Sequence, residues 1–349
     1  MKTLLKLEIS AELLKHISEI DEFKGSWRSL QNLAPERLLS LRKIATIESV
    51  GSSTRIEGSL LTDDEVEKLL SGVQLTSFRE RDQQEVSGYA DLMEMVFTSW
   101  EEISLSENQI KQLHRILLKL STKDQRHLGE YKKFANHVEA YDIEGKSLGV
   151  IFQTTSPFDT PGEMERLIEW TNKQVKPSSK FHPLLVIAEF VVKFLAIHPF
   201  QDGNGRLSRA LTTLLLLRSG YVYVPYCSME RIIEENKDNY YLSLRRAQGT
   251  LGKDESGFKH WVEFFISCLL QQKRILARKM ESELTMASLS PLSEKILQVV
   301  RDHGRITIRD AVTITGANRN TVKDHIFKLV DSGHLVKKGQ GRGVWYEKS

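Results

Sequence analysis

Twelve residues, His198-Pro-Phe-Gln-Asp-Gly-Asn-Gly-Arg-Leu-Ser-Arg209, hold an imidazole, a carboxylate, a Gly-Asn-Gly run and two guanidiniums. A histidine such as His198 takes up a proton near neutral pH and suits a general base. Asp202 offers oxygen ligands of the kind Mg²⁺ prefers when it keeps several waters and shares its shell with substrate phosphates. Gly203, Asn204 and Gly205 stand directly before a run of helix formers. Their backbone N–H groups therefore open at a helix N-terminus, where the dipole and the missing Cβ atoms favour a close anion. Arg206 and Arg209 are three apart, so they share a helical face and can hold phosphate oxygens in their forks. Taken singly, each residue has a plainer use as a turn, a structural histidine or a solvated cation; their conjunction points to a nucleotide phosphate site with its own base.

The flanks must hold that loop in place. Upstream, residues 182–197 (HPLLVIAEFVVKFLAI) carry only Glu189 and Lys193 as charges and predict a buried helix of about four turns. Downstream, residues 207–217 (LSRALTTLLLL) predict a second apolar helix that stops at Ser219-Gly220. The rest of the chain reads as helices near 11–22, 35–50, 62–71, 81–100, 107–120, 162–175, 228–248 (one helix or a broken pair) and 258–281. Thr62 with Glu65 forms a capping box, and Thr160 with Pro161 reads as a cap and first helical residue. His114, within the helix near 107–120, reads as structural or exposed. Between 128 and 161 the helical period is lost, and two short extended pieces flank a Glu-Gly turn at 144–145. By themselves, residues 51–62 read as a cap and a turn.

The 198–209 stretch resembles the signature of the Fic family, HPFx[D/E]GNGRxxR, at every specified position. The resemblance implies an all-helical core with a small β-hairpin flap and, in most members, transfer of AMP from ATP to a hydroxyl side chain of a target protein. It implies His198 as base on the target hydroxyl, Asp202 as Mg²⁺ ligand, Gly203, Asn204 and Gly205 as the anion hole, and Arg206 and Arg209 on the outer phosphates. ATP is then the substrate and Mg²⁺ the metal. Ser53-Thr-Arg-Ile-Glu57-Gly58 is similar to the family's inhibitory motif [S/T]xxxE[G/N], which implies that Glu57 pairs with Arg209 and blocks the outer phosphate. Some relatives with this motif also remove AMP. The extended pieces correspond to a flap that pairs with the target's main chain, and Asn236, Tyr240 and Tyr241 correspond to a region lining the adenosine pocket. Relatives often form homodimers, which is the expectation here.

Composition bounds the remainder. With 349 residues, 40% hydrophobic and 27% charged, the chain has room for two or three domains and no sign of disorder. The first ten residues are too soon interrupted by charge to read as a secretory signal, and no apolar run spans a bilayer. Cys227 and Cys268 have neither the count nor the spacing of a disulfide framework, so a reducing cytoplasm is expected. Charge is uneven: residues 291–349 carry eleven Lys and Arg against six Asp and Glu, a net +5, while the whole chain is only +3. That basic end predicts three short helices, near 293–302, 307–314 and 318–331, then two strands, 334–338 and 344–347, around a Gly-rich turn. The order resembles a winged helix-turn-helix. Arg319, Asn320 and Lys323 would face nucleic acid, with DNA as a further partner. The expected architecture is mainly α, with an N-terminal helical region over 1–80, a Fic core over 81–282 and a winged helix over 283–349. The leading function is an autoinhibited protein adenylyltransferase acting on Ser, Thr or Tyr. The alternative is a nucleotide-sensing DNA-binding regulator.

Overall fold

The computed structural model describes residues 4, 7–30, 35–72, 80–141, 147–254, 256–287 and 290–348. It divides into two compact units, Met1–Leu276 and Ala277–Ser349.

Two helices carry the first unit's centre. α7 (Pro183–Ile197) buries residues on every side, including Leu184, Ile187, Phe190 and Phe194, as an apolar helix must when other elements surround it. Pro183 sits at the first turn, and the His182 ring accepts the Leu184 N–H at 3.3 Å. α8 (Asn204–Arg218) is buried almost throughout, and it packs on α7. α4 (Glu80–Ser99), α5 (Glu107–Leu118) and α6 (Thr160–Gln174) pack around this pair. Thr160 is the first residue of α6 and not its cap: its hydroxyl donates to Ser156 O, and Ser156 Oγ accepts the Asp159 N–H.

The N-terminal helices run further than periodicity suggests. α1 (Ala11–Leu30) continues past 22 because Phe23 and Trp27 are buried against Tyr223. α2 (Pro35–Ile56) continues straight through Gly51-Ser-Ser-Thr-Arg-Ile56, which local sequence reads as a cap and turn. Ser52, Ser53 and Thr54 are fully buried, and Thr54 satisfies its hydroxyl on the carbonyl of Val50 at 2.9 Å. Small side chains let α2 pack on α4 and on α9 (Met229–Glu235), and tertiary burial overrides their turn preference. α3 (Asp63–Leu70) opens with the expected Thr62–Glu65 capping box. The chain breaks at Asn236 between α9 and α10 (Lys237–Thr250), and α11 (Phe258–Ala287) is the longest helix described.

β1 (His137–Tyr141) and β2 (Ser147–Gln153) form an antiparallel pair, His137 opposite Gln153, with two irregularities in register. The Glu-Gly turn expected between them lies outside the described residues.

The second unit contains α12 (Pro291–His303), β3 (Arg305–Ile306), α13 (Ile308–Thr315), α14 (Arg319–Asp331), β4 (Leu335–Lys338) and β5 (Trp345–Lys348). The strands form one antiparallel sheet in the order β3-β5-β4. Ile296, Val300, Ile306, Val322, Ile326, Leu329 and Tyr346 form its core. The helices and the last two strands follow the element order expected from the sequence, with β3 added; two residues are too few for strand alternation to appear in sequence. No helix among the described residues is long and apolar enough to cross a membrane.

Candidate active site

The 198–209 loop joins the two central helices. His198 caps α7 in the left-handed conformation, φ 51°, the only non-glycine residue with positive φ among those described. That region costs an L-residue about 1–2 kcal/mol and is tolerated where the surroundings enforce it. The imidazole Nδ1 lies 3.4 Å from Leu195 O. A carbonyl can only accept, so Nδ1 carries the hydrogen and Nε2 keeps its lone pair. Burial, reinforced by the nearby Lys132 charge, pulls the ring's pKa down to about 4. At neutral pH His198 is therefore an unprotonated base.

Asn204 fastens the loop from inside. Its amide accepts the Phe200 N–H at 2.9 Å and donates to Phe200 O at 2.7 Å, while Gly203 caps α8 with φ 80°. Asp202 receives the Gly203 N–H at 2.5 Å, Lys123 Nζ at 2.7 Å and Arg206 Nη2 at 3.3 Å. Burial opposes its ionisation, but the Lys123 hydrogen bond and the Arg206 charge overcome this and hold the carboxyl at about 2. Arg206 is nearly buried, and its Nη1 also faces Glu85 at 3.3 Å. Its Nε has no hydrogen-bond partner. A buried guanidinium with donors to spare is suited to a phosphate.

Arg209 is held by Ser53 and Glu57. Nε donates to Ser53 Oγ at 2.8 Å, and Nη2 donates to Ser53 O at 2.9 Å and to Glu57 Oε1 at 2.8 Å. Glu57 follows directly on α2, and its carboxylate lies against Gly205, where a Cβ would collide with Oε1. Burial works against the charge on Glu57, but Arg209 outweighs it and lowers the pKa. A carboxylate thus occupies both the arginine fork and the glycine cradle.

Asp202 fits Mg²⁺ held in the manner of phosphate-transfer sites. It is a single ionised carboxylate beside an anion cradle, and no group of three or more His, Cys, Asp or Glu side chains among the described residues could enclose a metal.

Residues 104–216 match the profile of the Fic/DOC family, a span that contains the whole loop. The chain carries a Fic domain. Residues 280–348 match a second family, described as a bacterial protein of unknown function (DUF977). The chain is 27% identical over 258 residues to the protein adenylyltransferase Fic of Drosophila willistoni, an alignment covering 73% of this chain and 46% of that protein. It thus spans less than half the length of that relative. A Fic domain containing signaling protein from Bacteroides thetaiotaomicron superposes with a TM-score of 0.63 at 26% identity, covering 76% of this chain and 98% of that one. A Fic family protein from Desulfovibrio desulfuricans shares the fold, with a TM-score of 0.63, 22% identity and coverage of 98% and 97%.

Around the Fic loop, the structure adds residues that sequence alone did not single out. His114 is buried on α5 and stacks on Phe200 with centroids 3.9 Å apart. Its Nδ1 accepts the Gly129 N–H at 2.9 Å, and its Nε2 lies 3.1 Å from Asp202 O, so the neutral ring pins the loop at the metal-type acid. Its spacing on the apolar stripe of α5, between Ile110 and Leu117, is a signal that could have placed it inward, where sequence alone reads it as structural or exposed. Lys123 and Glu85, which pair with Asp202 and Arg206, had no local signal, because such pairs form only through the fold.

The other expected site residues fall in different settings. Tyr241 borders the end of α2, its hydroxyl 3.5 Å from Ile56 O. Tyr240 is buried against Trp261 and Phe264. Asn236 spends its amide on Ile232 O at the break between α9 and α10. Arg319, Asn320 and Lys323 lie exposed at the start of α14, where Asn318 caps the helix by accepting the Asn320 N–H.

Proposed function

We propose that the chain is an autoinhibited protein adenylyltransferase, moving AMP from MgATP to a Ser, Thr or Tyr hydroxyl of a protein. The target oxygen attacks the α-phosphorus, the bridge to the β-phosphate breaks, pyrophosphate leaves, and the hydroxyl proton passes to His198 Nε2. The N–H groups of Asn204 and Gly205 and the forks of Arg206 and Arg209 hold the phosphate oxygens, stabilising negative charge as it shifts in the transition state, while the Gly203 N–H is spent on Asp202 Oδ1 at 2.5 Å. Asp202 would hold Mg²⁺, which supplies charge neutralisation across the phosphates.

One observation carries the autoinhibited reading: the Glu57 carboxylate rests on Arg209 at 2.8 Å and against Gly205, in the space the outer phosphate needs. Two anions cannot share one fork without strong repulsion. Incubation with ATP labelled at the α-phosphate tests this. Label on protein should rise at least tenfold for Glu57→Gly over the wild type and vanish for Glu57→Gly combined with His198→Ala. Equal labelling of wild type and Glu57→Gly would remove the inhibitory role.

A second reading concerns the C-terminal unit. The exposed Arg319, Asn320 and Lys323 favour a nucleic-acid contact through α14, and a duplex-DNA gel shift that is lost in Arg319→Ala with Lys323→Ala tests it.

A further inference from the structure

Lys132 lies outside the 198–209 loop, yet it is 3% exposed and its ammonium is fully committed. Nζ donates to Asn136 Oδ1 at 2.8 Å, Thr154 Oγ1 at 2.9 Å and Ile197 O at 2.9 Å. An ammonium has three donors, so all are used, and none of these partners is a carboxylate. A buried cation without a counter-ion is costly, and a methionine would occupy similar volume without that cost. Burial alone pulls its pKa down to about 8. The position needs something that an apolar side chain cannot supply.

The partners show what that is. Asn136 directly precedes β1, and Thr154 directly follows β2. Ile197 is the last residue of α7, next to His198. The two strand feet are bonded to each other through Thr154 Oγ1 and Asn136 O at 2.7 Å. They are also bonded to the loop, since Asn136 Nδ2 donates to Phe200 O at 2.9 Å and the Lys132 backbone N–H to Pro199 O at 2.8 Å. Both feet of the hairpin and the carbonyls on either side of the base therefore converge on one residue, the feet and Ile197 O through its ammonium and Pro199 O through its backbone N–H.

We propose that Lys132 is a positioning residue that fixes the β1–β2 hairpin relative to the His198 imidazole, so that a target segment paired on the hairpin delivers its hydroxyl to Nε2. The delivery step rests on the AMP-transfer reading; the coupling of hairpin to histidine does not. The charge matters as well as the geometry, because the ammonium stands close enough to His198 to favour its neutral form.

Backbone amide exchange and ring ¹⁵N spectra of the full chain test the coupling without any target. In Lys132→Met, exchange at 137–141 and 147–153 should rise at least tenfold while α7 and α8 keep wild-type protection. The His198 ring, assigned by its loss in His198→Ala, should shift from one tautomer toward an average of two. Thr154→Val, which leaves the lysine in place, should loosen the same strands to a smaller degree, and it supplies the result if Lys132→Met does not fold. Unchanged strand exchange and ring spectrum would overturn the proposal. So would exchange rising equally through α7 and α8, which would make Lys132 a stability residue only. A Glu57→Gly chain that transfers no AMP would instead sink the enzymatic reading and leave this coupling standing.

Discussion

On the proposed reading, the Glu57 carboxylate and a substrate phosphate would compete for one seat at Gly205. The Glu57 carboxylate already touches the space a Cβ would fill. Gly205→Ala should therefore expel Glu57 from the cradle and still fail to transfer AMP, because the added methyl blocks a phosphate in the same way. Label transfer beside Glu57→Gly separates the two, and an active Gly205→Ala would show that the cradle is not where phosphate binds. Protonation offers no such release near neutrality. Glu57 has a lowered pKa, so the ion pair is present above the ordinary glutamate range and is lost only as pH falls through the lower folded value. The difference in labelling between wild type and Glu57→Gly should accordingly hold constant across the neutral range. At this scale the 198–209 residues were legible because their types and spacing are local. Lys132, His114 and Lys123 were not, because each depends on at least one partner 22 to 88 positions away.

The last turn of α2 is held as an element. Arg55 reaches Glu234 at 2.6 Å, Asp63 at 2.9 Å and Leu61 O at 2.8 Å, and Arg231 of α9 closes the group on Asp63 at 3.1 Å. These bonds fasten the helix end two residues before Glu57. Arg55→Ala should let that turn fray and give intermediate labelling, above wild type and below Glu57→Gly. Labelling at the wild-type level would mean that burial of Ser52, Ser53 and Thr54 alone holds the turn. The sequence of 51–56 suggests a break for the same reason that the helix persists: Gly, Ser and Thr weaken an isolated helix, and they are the side chains small enough for α2 to lie close to its neighbours. Patterning read the apolar α7 and α8 well. It could not read how far α1 and α2 extend, since tertiary contacts decide that.

Across the molecule, buried histidines tie stability to pH. His114 is fully buried and its pKa is lowered to about 4, chiefly by desolvation. Its folded value lies below the unfolded one, so the unfolded chain binds the proton first, and stability falls as pH drops below about 6.5. Between pH 7 and 5 this one residue should remove about 2 kcal/mol. Urea unfolding of the first unit should therefore weaken steeply over that interval, and His114→Gln should flatten the slope while lowering stability throughout. The second unit has its own core around Val322 and Tyr346. Calorimetry should resolve it as a separate transition, which Val322→Asp abolishes while Glu57→Gly labelling persists.

The placement of Glu57 also bears on how the chain senses nucleotide. A carboxylate carried on α2 is a competitor present at a fixed effective concentration, set by its tether and not by the surrounding solution. If the chain binds ATP as proposed, the apparent affinity would be the intrinsic affinity reduced by the fraction of time the fork is empty. Anything that loosens the helix end by 1.4 kcal/mol would sharpen that affinity by up to about tenfold without touching a single nucleotide contact. On that reading the arginine fork would act as a set point, tuned by the stability of one helical turn.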